Sequence, residues 1–301
     1  MRMTKSLFIG VDGGATKCIV RVEDEAGQLL GRETSGPANI RLSVSKAWAS
    51  IYSALDIILK PLNIKLGDPA YHWYAGMGLA GCELSSAYES FLSTKHSFNQ
   101  LVISSDAHTA CLGAHAGSDG AVIIIGTGTV GFQVVAHQAT KVGGWGFPHD
   151  DEGGGASLGL EAVKVTLQAL DGRLPFSGLA NLIYARFDHH LERFVNWVNH
   201  ANSTAFAELA PLVIQQYQAG DAVAINIMQE AANAINGLGD TLQAAQPDQQ
   251  AMLPCALIGG VAPFIQPLLN VSLRERLVPS QLTPDAGAIL LVKDYLAKGK
   301  K

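Results

Sequence analysis

Two apolar runs, each followed by a glycine-rich turn and a second apolar run, organise the hydrophobic and polar positions along the chain. In the first half, LFIGV (7–11) and CIVRVED (18–24) flank the turn DGGATK. In the second half, AVIII (121–125) and GFQVVAHQ (131–138) flank the turn GTGTV. Runs of this length that are rich in Ile and Val are typical of buried strands rather than helices. The pattern therefore predicts a strand, a glycine turn and a strand in each half.

The remaining periodicity in the first half predicts helices that alternate with strands behind this opening pair. Ser43 and Ser45 are both candidates to cap the first helix, which should end near Lys60 because Pro61 follows. The predicted elements are strands at 7–11, 18–24, 29–34, 72–81 and 101–104, and helices at 43–60, 85–95 and 106–116. This order indicates an α/β sheet with a leading antiparallel meander.

The second half restarts the pattern and then becomes helical. Strands are predicted at 121–125, 131–136 and 139–143, ahead of a glycine-dense loop that runs to Gly155. The elements predicted after this loop are helices at 156–170, within 177–200, at 204–219, 221–245 and 284–298, and one strand at 256–258. Since no low-complexity linker is visible, the repeat alone sets the boundary, and it gives domains 1–117 and 118–284.

Composition narrows the class of protein. A chain of 301 residues with 48% hydrophobic and 16% charged residues is expected to form about two compact domains. A net charge of −5 without a basic cluster argues against a nucleic acid or an anionic membrane surface as partner. No apolar run approaches the ~18 residues of a membrane span, and no signal-peptide core is present, so a cytoplasmic protein is expected. The four cysteines form no C-x-x-C pair and indicate neither a disulfide framework nor a thiolate metal site.

The two glycine turns also carry candidate chemistry. Glycine lets a backbone come close to a ligand, and successive N–H groups in such a turn point outward as donors to an anion. Two turns that face each other would clamp a polyphosphate. Tight turns without a ligand are the alternative for either one taken alone. The residues predicted to form the cradle are Gly13, Gly14 and Thr16 in the first turn, and Gly126, Thr127 and Gly128 in the second.

The run from Gly126 to Gly131 also matches G-x-G-x-x-G, the dinucleotide-binding fingerprint. That fingerprint requires a helix to open at the glycines, so that a pyrophosphate sits at the helix N-terminus. The residues that follow are β-branched and aromatic, with a polar turn at 136–140, and they predict a hairpin instead. The dehydrogenase interpretation is therefore disfavoured.

A series of short motifs, taken in order, resembles the BadF/BadG/BcrA/BcrD ATPase family, and within it the branch of N-acetylglucosamine and glucosamine kinases. The motifs are DGGATK (12–17), SGPAN (35–39), GLAG (78–81), SDAHTA (105–110), GTGT (126–129), GGWG (143–146), DDEGGG (150–155), GGVA (259–262) and PDAGAILL (284–291). The resemblance covers almost the whole chain. It implies a duplicated actin-like ATPase (ribonuclease H-like) α/β fold of two domains with an interdomain cleft, whose C-terminal helix at 285–301 packs back on the first domain.

The same resemblance implies an ATP-dependent kinase that phosphorylates the 6-hydroxyl of N-acetylglucosamine or glucosamine. ATP and Mg²⁺ are the implied cofactors, an amino sugar is the substrate, and the implied assembly is a homodimer. Phosphoryl transfer needs a metal that neutralises charge and a carboxylate that takes the hydroxyl proton. Asp12 is expected to hold Mg²⁺ through water, and its alternative role is that of a turn aspartate bonded to its own backbone.

Asp106 follows a predicted strand and opens a predicted helix. This position alone fits a general base and a plain helix N-cap equally well. The family resemblance favours the base and also assigns the binding loops. Both Asn39 and Asp151 also have an alternative, purely structural role. For Asn39 it is that of a turn residue after proline, and for Asp151 that of a helix-capping carboxylate. The family's sugar contacts match Asn39 and Asp151 beside Asp106, and the backbone of Gly144 and Trp145 and the loop that begins at Gly78 line the sugar pocket. The family's adenosine loop matches Gly259 and Gly260.

Three positions depart from the commoner family pattern, namely Ala15, Asp150 and Gly154. Asp150 adds a negative charge that would favour the cationic amine of glucosamine over the N-acetyl group.

Two other functions stay open on this scaffold. One is an ATP-driven activator of a CoA-ester reductase or dehydratase, which holds a [4Fe–4S] cluster by cysteines; Cys111 and Cys255 lack its glycine-flanked motif. The other is a non-catalytic sugar sensor, which would be expected to lose Asp12 or Asp106.

Overall fold

The computed structural model describes residues 5–246 and 252–299, and the chain divides into two compact units. The first unit takes in the chain up to Gly120, the segment Val134–Ala139 and the chain from Pro279 onward. The second takes in the segments Ala121–Gln133 and Thr140–Val278. The predicted boundary after residue 117 lies in the loop ahead of Gly120. Residues 1–4 and 300–301 of the predicted domains lie outside the described residues.

The first unit contains a five-stranded sheet in the order β3-β2-β1-β4-β5. Its strands are β1 (Lys5–Gly13), β2 (Cys18–Asp24), β3 (Leu29–Ser35), β4 (Tyr71–Leu79) and β5 (Gln100–Ser104). β1, β2 and β3 pair antiparallel, whereas β4 is parallel to β1 and β5 is parallel to β4. The predicted antiparallel meander ahead of parallel strands is confirmed.

Three helices follow these strands: α1 (Val44–Leu59), α2 (Ser85–Ser93) and α3 (Asp106–Ala114). The hydroxyl of Ser43 accepts the N–H of Lys46 at 3.2 Å, so Ser43 rather than Ser45 caps α1. α1 buries one apolar face at i, i+3, i+4 spacing, which is the reason its helical period could be recognised in the sequence.

The second unit repeats this strand order in a four-stranded sheet, β8-β7-β6-β9. Its strands are β6 (Gly120–Ile125), β7 (Thr129–Val135), β8 (Gln138–Gly143) and β9 (Cys255–Ile258). β6 pairs in parallel with β9, just as β1 pairs in parallel with β4. Each sheet therefore contains three consecutive strands and a strand that returns beside the first of them, as expected for a duplicated fold, and the first sheet adds β5 beyond the returning strand.

The helices of the second unit include two that the sequence pattern predicted as one. The predicted helix at 204–219 is wrong because the helical run breaks at Leu209, and Pro211 lies in the first turn of the next helix, where its missing N–H is tolerated. No helix within residues 5–246 and 252–299 has the length and apolarity to cross a membrane. The helices are α4 (Gly155–Leu170), α5 (Gly178–Ala185), α6 (Leu191–His200), α7 (Ser203–Ala207), α8 (Ala210–Gln218), α9 (Ala222–Ala244), α10 (Ala262–Ile265) and α11 (Val271–Glu275).

The last helix, α12 (Pro284–Lys298), belongs to the first unit and packs against β1, β4 and α3. This packing is close because glycines line it: a Cβ at Gly10 would overlap the carbonyl oxygen of Asp285, and a Cβ at Gly76 that of Ala288. The buried carboxylate of Asp285 accepts two hydrogen bonds from Arg32, at 2.8 and 3.0 Å. α12 is thus held by backbone contact and by one two-pronged ion pair.

Candidate active site

The first glycine turn joins β1 to β2 at one end of the five-stranded sheet. β1 ends at Gly13, and the N–H of Gly14 donates to the carbonyl oxygen of Lys17 at 2.9 Å, which closes the turn. Thr16 and Lys17 are exposed at its tip. The predicted phosphate-binding residues Gly13, Gly14 and Thr16 therefore lie together on one tight turn.

Gly13 is required by the packing of its neighbours. A Cβ at this position would lie 2.6 Å from Cδ2 of Leu79 and 3.0 Å from Cβ of Ala38. A larger residue would push these groups apart. The loops at 36–40 and 78–81, which carry two of the predicted sugar contacts, consequently pack directly against the first glycine turn.

These two sugar contacts have different local roles. The side-chain oxygen of Asn39 accepts the N–H groups of Arg41 and Leu42, at 3.0 and 3.3 Å, so the alternative role of a turn residue is observed. Its amide nitrogen is then the group it has to offer a ligand. A Cβ at Gly78 would overlap the hydroxyl of Thr109, so this glycine lets β4 approach α3 closely.

Strand register aligns the two proposed catalytic carboxylates. Asp12 of β1 pairs with Gly78 of β4, and Gly78 pairs with Ser104 of β5. Asp106 begins α3 two residues beyond Ser104. Since neighbouring strands lie about 4.8 Å apart, Asp12 and the start of α3 occupy the same edge of the sheet, with Gly78 between them.

Asp106 is not the N-cap of α3, so this alternative is wrong. Ser105 occupies the cap position, and its hydroxyl accepts the N–H of His108 at 3.1 Å. Asp106 is the first helical residue, half-buried, with one carboxylate oxygen 2.9 Å from the N–H of Ala107. The Asp106 carboxylate thus accepts a first-turn N–H of α3, while Ser105 supplies the N-cap.

Acidic side chains dominate the electrostatic environment of Asp12 at this edge of the sheet. Burial raises the pKa of Asp12 to about 7, and the nearby charges of Asp106 and Asp285 add to the rise, against smaller opposing effects of Lys17 and Arg32. Carboxylate oxygens that repel one another are suited to a hard divalent cation such as Mg²⁺. Across residues 5–246 and 252–299, no group of three or more His, Cys, Asp or Glu side chains could hold a metal directly. Asp12 is the residue that would hold the ion.

The second glycine turn joins β6 to β7 and is fixed to the start of α4. The N–H of Gly126 donates to the carbonyl of Gly128 at 2.9 Å. The carbonyls of Gly126 and Thr127 accept the N–H groups of Gly155 and Ala156, at 2.8 and 2.9 Å. The residues after the turn form a strand rather than a helix, so the context that a dinucleotide fingerprint requires is missing.

A cavity of about 580 Å³ opens beside this second turn. One face of α8 forms a wall, and Phe264 of α10 lies among the opposing residues. The lining is apolar apart from a threonine and two glutamines, and it contains no charged side chain. The cavity is lined by Gly126, Thr127, Gly155, Ala207, Ala210, Pro211, Ile214, Gln215, Gln218, Gly260, Val261 and Phe264.

The wall formed by α8 was missed by the sequence reasoning. Its small and apolar residues recur at helical spacing and resemble an ordinary core stripe, so the sequence offered no signal that they face a cavity.

The predicted adenosine-loop glycines differ from each other. Gly259 has φ +114°, and a Cβ there would overlap the carbonyl oxygen of Ile125, whereas a Cβ at Gly260 would meet no atom within 4 Å. Gly126 has the same open space.

The predicted sugar residues of the second unit lie on the loop after β8. Gly144 has φ +72°, and the ring of Trp145 is 78% exposed. The N–H of Trp145 donates to a carboxylate oxygen of Asp150 at 2.6 Å. Asp150, the residue predicted to attract a sugar amine, thus uses one of its oxygens inside its own loop.

Asp151 lies against the second glycine turn. A Cβ at Gly128 would overlap its carboxylate, so Gly128 makes the room that the side chain occupies. Burial raises the pKa of Asp151, and the charge of Asp150 adds to this, while backbone hydrogen bonds from Thr129 and Phe147 oppose it. Gly154 occupies the N-cap of α4, so the helix-capping alternative for Asp151 is wrong.

Residues 9–291 match the model of the BadF/BadG/BcrA/BcrD ATPase family. This chain belongs to that family. Among curated family relatives, the glucosamine kinase GspK of Vibrio cholerae serotype O1 is 31% identical over 94% of each chain. The N-acetylmuramic acid/N-acetylglucosamine kinase of Clostridium acetobutylicum is 27% identical over 75% of this chain and 76% of its own.

Solved structures agree with the family's fold. A candidate N-acetylglucosamine kinase from Chromobacterium violaceum superposes with a TM-score of 0.87 at 30% identity, over 95% of this chain and 98% of its own. A ROK family glucokinase from Streptomyces griseus, in complex with glucose and AMPPNP, superposes with a TM-score of 0.55 at 16% identity, over 95% and 98% of the two chains. The actin-like ATPase fold inferred from the motifs is confirmed.

Proposed function

We propose that this family member is an ATP-dependent amino-sugar kinase that transfers the γ-phosphoryl group to the 6-hydroxyl of glucosamine or N-acetylglucosamine. The observation that carries the proposal is the register of Asp12, Gly78 and Ser104 across three neighbouring strands, which brings Asp12 and Asp106 to one sheet edge. A carboxylate pair is what phosphoryl transfer to a hydroxyl requires, one for the metal and one for the proton. The two kinases described above, whose names give a glucosamine and an N-acetylmuramic acid/N-acetylglucosamine kinase, support the substrate class.

Nucleotide binding is assigned to both glycine turns and to the cavity. The flat base enters the uncharged space between α8 and Phe264, where Gly126 and Gly260 have no side chain to obstruct it. Gln215 and Gln218 offer amide donors and acceptors to the base edge. The backbone N–H groups of the turns hold the phosphates.

Mg²⁺, once bound, neutralises the charge that develops on the transferred phosphoryl group. Asp12 is the residue that would hold this ion, through water. Asp106 accepts the proton of the sugar hydroxyl, and its half-buried position keeps the carboxylate reachable by a ligand. Asn39, Gly144, Trp145 and Asp151 exchange hydrogen bonds and contacts with the remaining sugar groups.

Cysteine burial speaks against the activator alternative. The thiol of Cys111 is buried and donates to the carbonyl oxygen of Gly120 at 3.3 Å. Cys255 is buried as well, and burial raises the pKa of its thiol to about 11. A cluster is held by thiolates, so thiols kept protonated in a core are poorly suited to that role.

The experiment is a phosphorylation assay with Mg-ATP and, in parallel, glucosamine, N-acetylglucosamine and glucose. The product is identified by ³¹P and ¹³C NMR. Formation of a 6-phosphate of an amino sugar is expected, with glucose a poorer acceptor. ATP hydrolysis without sugar phosphorylation would refute the proposal. Light scattering on the same sample tests the proposed homodimer.

A further inference from the structure

The Trp145 ring is exposed, unlike the other tryptophans of the chain. Its exposed fraction is 78%, whereas Trp48 and Trp73 are exposed by 4% and 1%, and Trp197 is half-buried. Exposing so large an apolar ring forgoes the stabilisation that burial provides. Something other than core packing must therefore fix its position.

Two charged side chains contact the loop at this residue. A carboxylate oxygen of Asp150 accepts the N–H of Trp145 at 2.6 Å, a short charge-assisted hydrogen bond. The ammonium of Lys141 donates to the carbonyl of Gly144 at 3.1 Å and lies 5.1 Å from the centre of the Trp145 ring. One cation and one anion thus hold the peptide group before Trp145 from its two polar ends.

The backbone of this loop needs such anchors. Gly143, Gly144 and Gly146 have φ values of +68°, +72° and +109°. Glycine permits these conformations but also permits many others, so glycine alone does not select one. The side chains of Lys141 and Asp150 supply the selection, because both bond to backbone groups at the centre of the glycine run.

We propose that Asp150 and Lys141 are positioning residues that hold the loop, and through it the ring of Trp145, in the conformation that receives the sugar. The inference rests on the proposed function, since it takes Trp145 as a sugar contact. It also gives Asp150 a role other than attraction of a cationic amine. The carboxylate acts by its geometry as an acceptor, and its charge near the sugar is secondary.

A pair of substitutions separates geometry from charge. Asp150→Ala removes both the acceptor and the charge, whereas Asp150→Asn removes the charge and keeps an acceptor of the same shape. Asp150→Ala is expected to raise KM for the amino sugar about tenfold, equivalent to ~1.4 kcal/mol, with kcat and KM for ATP within about twofold of wild type. Asp150→Asn is expected to restore most of the sugar affinity. Asp171→Ala, an exposed acid in another loop of the second unit, is the matched control.

A spectroscopic measurement on the ligand-free protein tests the loop itself. Acrylamide quenching of tryptophan fluorescence reports mainly on Trp145, because Trp48 and Trp73 are buried and Trp197 is half-buried. The Trp145→Phe variant supplies the background from these three indoles. Asp150→Ala and Lys141→Met are each expected to change the quenching constant of the Trp145 component by about half or more. Asp150→Asn and Asp171→Ala are expected to leave it near the wild-type value.

The outcomes are distinct. Equal loss of sugar affinity in Asp150→Asn and Asp150→Ala would show that the charge acts and would overturn the inference. Unchanged quenching and an unchanged KM in Asp150→Ala would also overturn it. If the wild-type protein phosphorylates no amino sugar, the proposed function fails, while the quenching series still decides whether Asp150 and Lys141 hold the loop.

Discussion

At Asp106, replacement of the carboxylate by the amide of asparagine keeps the shape of the side chain but removes its ability to act as the proposed general base. Asp106→Asn is expected to lower kcat by about 10²–10⁴-fold, the usual contribution of a positioned base. Nucleotide affinity, measured by calorimetric titration, should stay within about twofold of wild type. Ser105→Ala is the control, because it removes the actual cap of α3 and costs about 1 kcal/mol of stability. Normal turnover in Asp106→Asn would exclude this residue as the base.

At Asp151, stability and function are expected to oppose each other. Burial raises the pKa of this carboxyl, so the folded protein holds the proton more tightly than the unfolded chain. Stability from this group therefore falls as pH rises above the ordinary Asp value near 3.9. Asp151→Asn tolerates the left-handed φ of +72° and removes the charge.

The Asp151→Asn variant is expected to unfold at a higher Tm than wild type at pH 8. This gain should shrink as the pH is lowered toward 4, and KM for the sugar should rise about tenfold or more. Asp171→Asn provides a contrast: its pKa is lowered by the Arg173 side chain, so loss of its charge should not raise Tm. A Tm gain in Asp151→Asn that is the same at all pH values would contradict the electrostatic explanation.

Sequence reasoning at this scale located residues better than their contacts. The motifs predicted the position of Asp106, but exclusion of its N-cap role needed the hydroxyl of Ser105, whose geometry no motif contains. The packing of Asp151 over Gly128 joins residues from separate motifs. Such a contact depends on the folded path of the chain, and a single sequence taken by itself gives no signal for it.

At the scale of elements, the packing of α12 depends on glycines that admit no side chain. Gly76→Ala would place a Cβ on the carbonyl oxygen of Ala288, and an overpacked contact of this kind costs about 1–3 kcal/mol or more. Gly237→Ala is the matched control, since this exposed glycine within α9 has no atom within 4 Å of a Cβ. It is expected to stabilise the protein by about 0.5–1 kcal/mol. Denaturant unfolding measures both, and an equal effect of the two substitutions would refute the packing argument.

Element boundaries were predictable where local chemistry marks them. Pro284 and the apolar period of α12 gave its bounds within the described residues, and Ser43 was recognisable as a cap. The failure at 204–219 has a physical reason: the small apolar residues continue through Leu209 with unbroken helical spacing. The break falls just ahead of Pro211, which has no N–H to continue a helix and is tolerated only in the first turn of α8. The same break places α8 beside the cavity that adjoins the second glycine turn.

At the scale of the whole molecule, the repeated turn predicted the duplicated fold, because it appears in each half ahead of the same strand order. Each unit also has its own core. The buried side chains include Trp73 and Phe91 in the first unit, and Phe194 and Leu158 in the second. Two cores without shared residues are expected to give two calorimetric unfolding transitions rather than one. Gly76→Ala, which disturbs only the first unit, identifies the transition of that unit by lowering it.

A nucleotide whose base occupies the cavity should stabilise the second unit most, because that unit holds the base as well as one of the two phosphate turns, and a ligand stabilises the part of the protein that binds it. AMPPNP with Mg²⁺ at about 100 times its Kd is expected to raise the free energy of unfolding of the second unit by ~2.7 kcal/mol. The calorimetric transition of that unit should move to higher temperature accordingly. Gly260→Val should abolish this rise and keep the second transition within a few degrees of wild type, because its side chain enters open space. Gly259→Val should instead lower that transition even without nucleotide, since it collides with the carbonyl of Ile125. A full nucleotide-induced rise in Gly260→Val would mean that the base binds elsewhere.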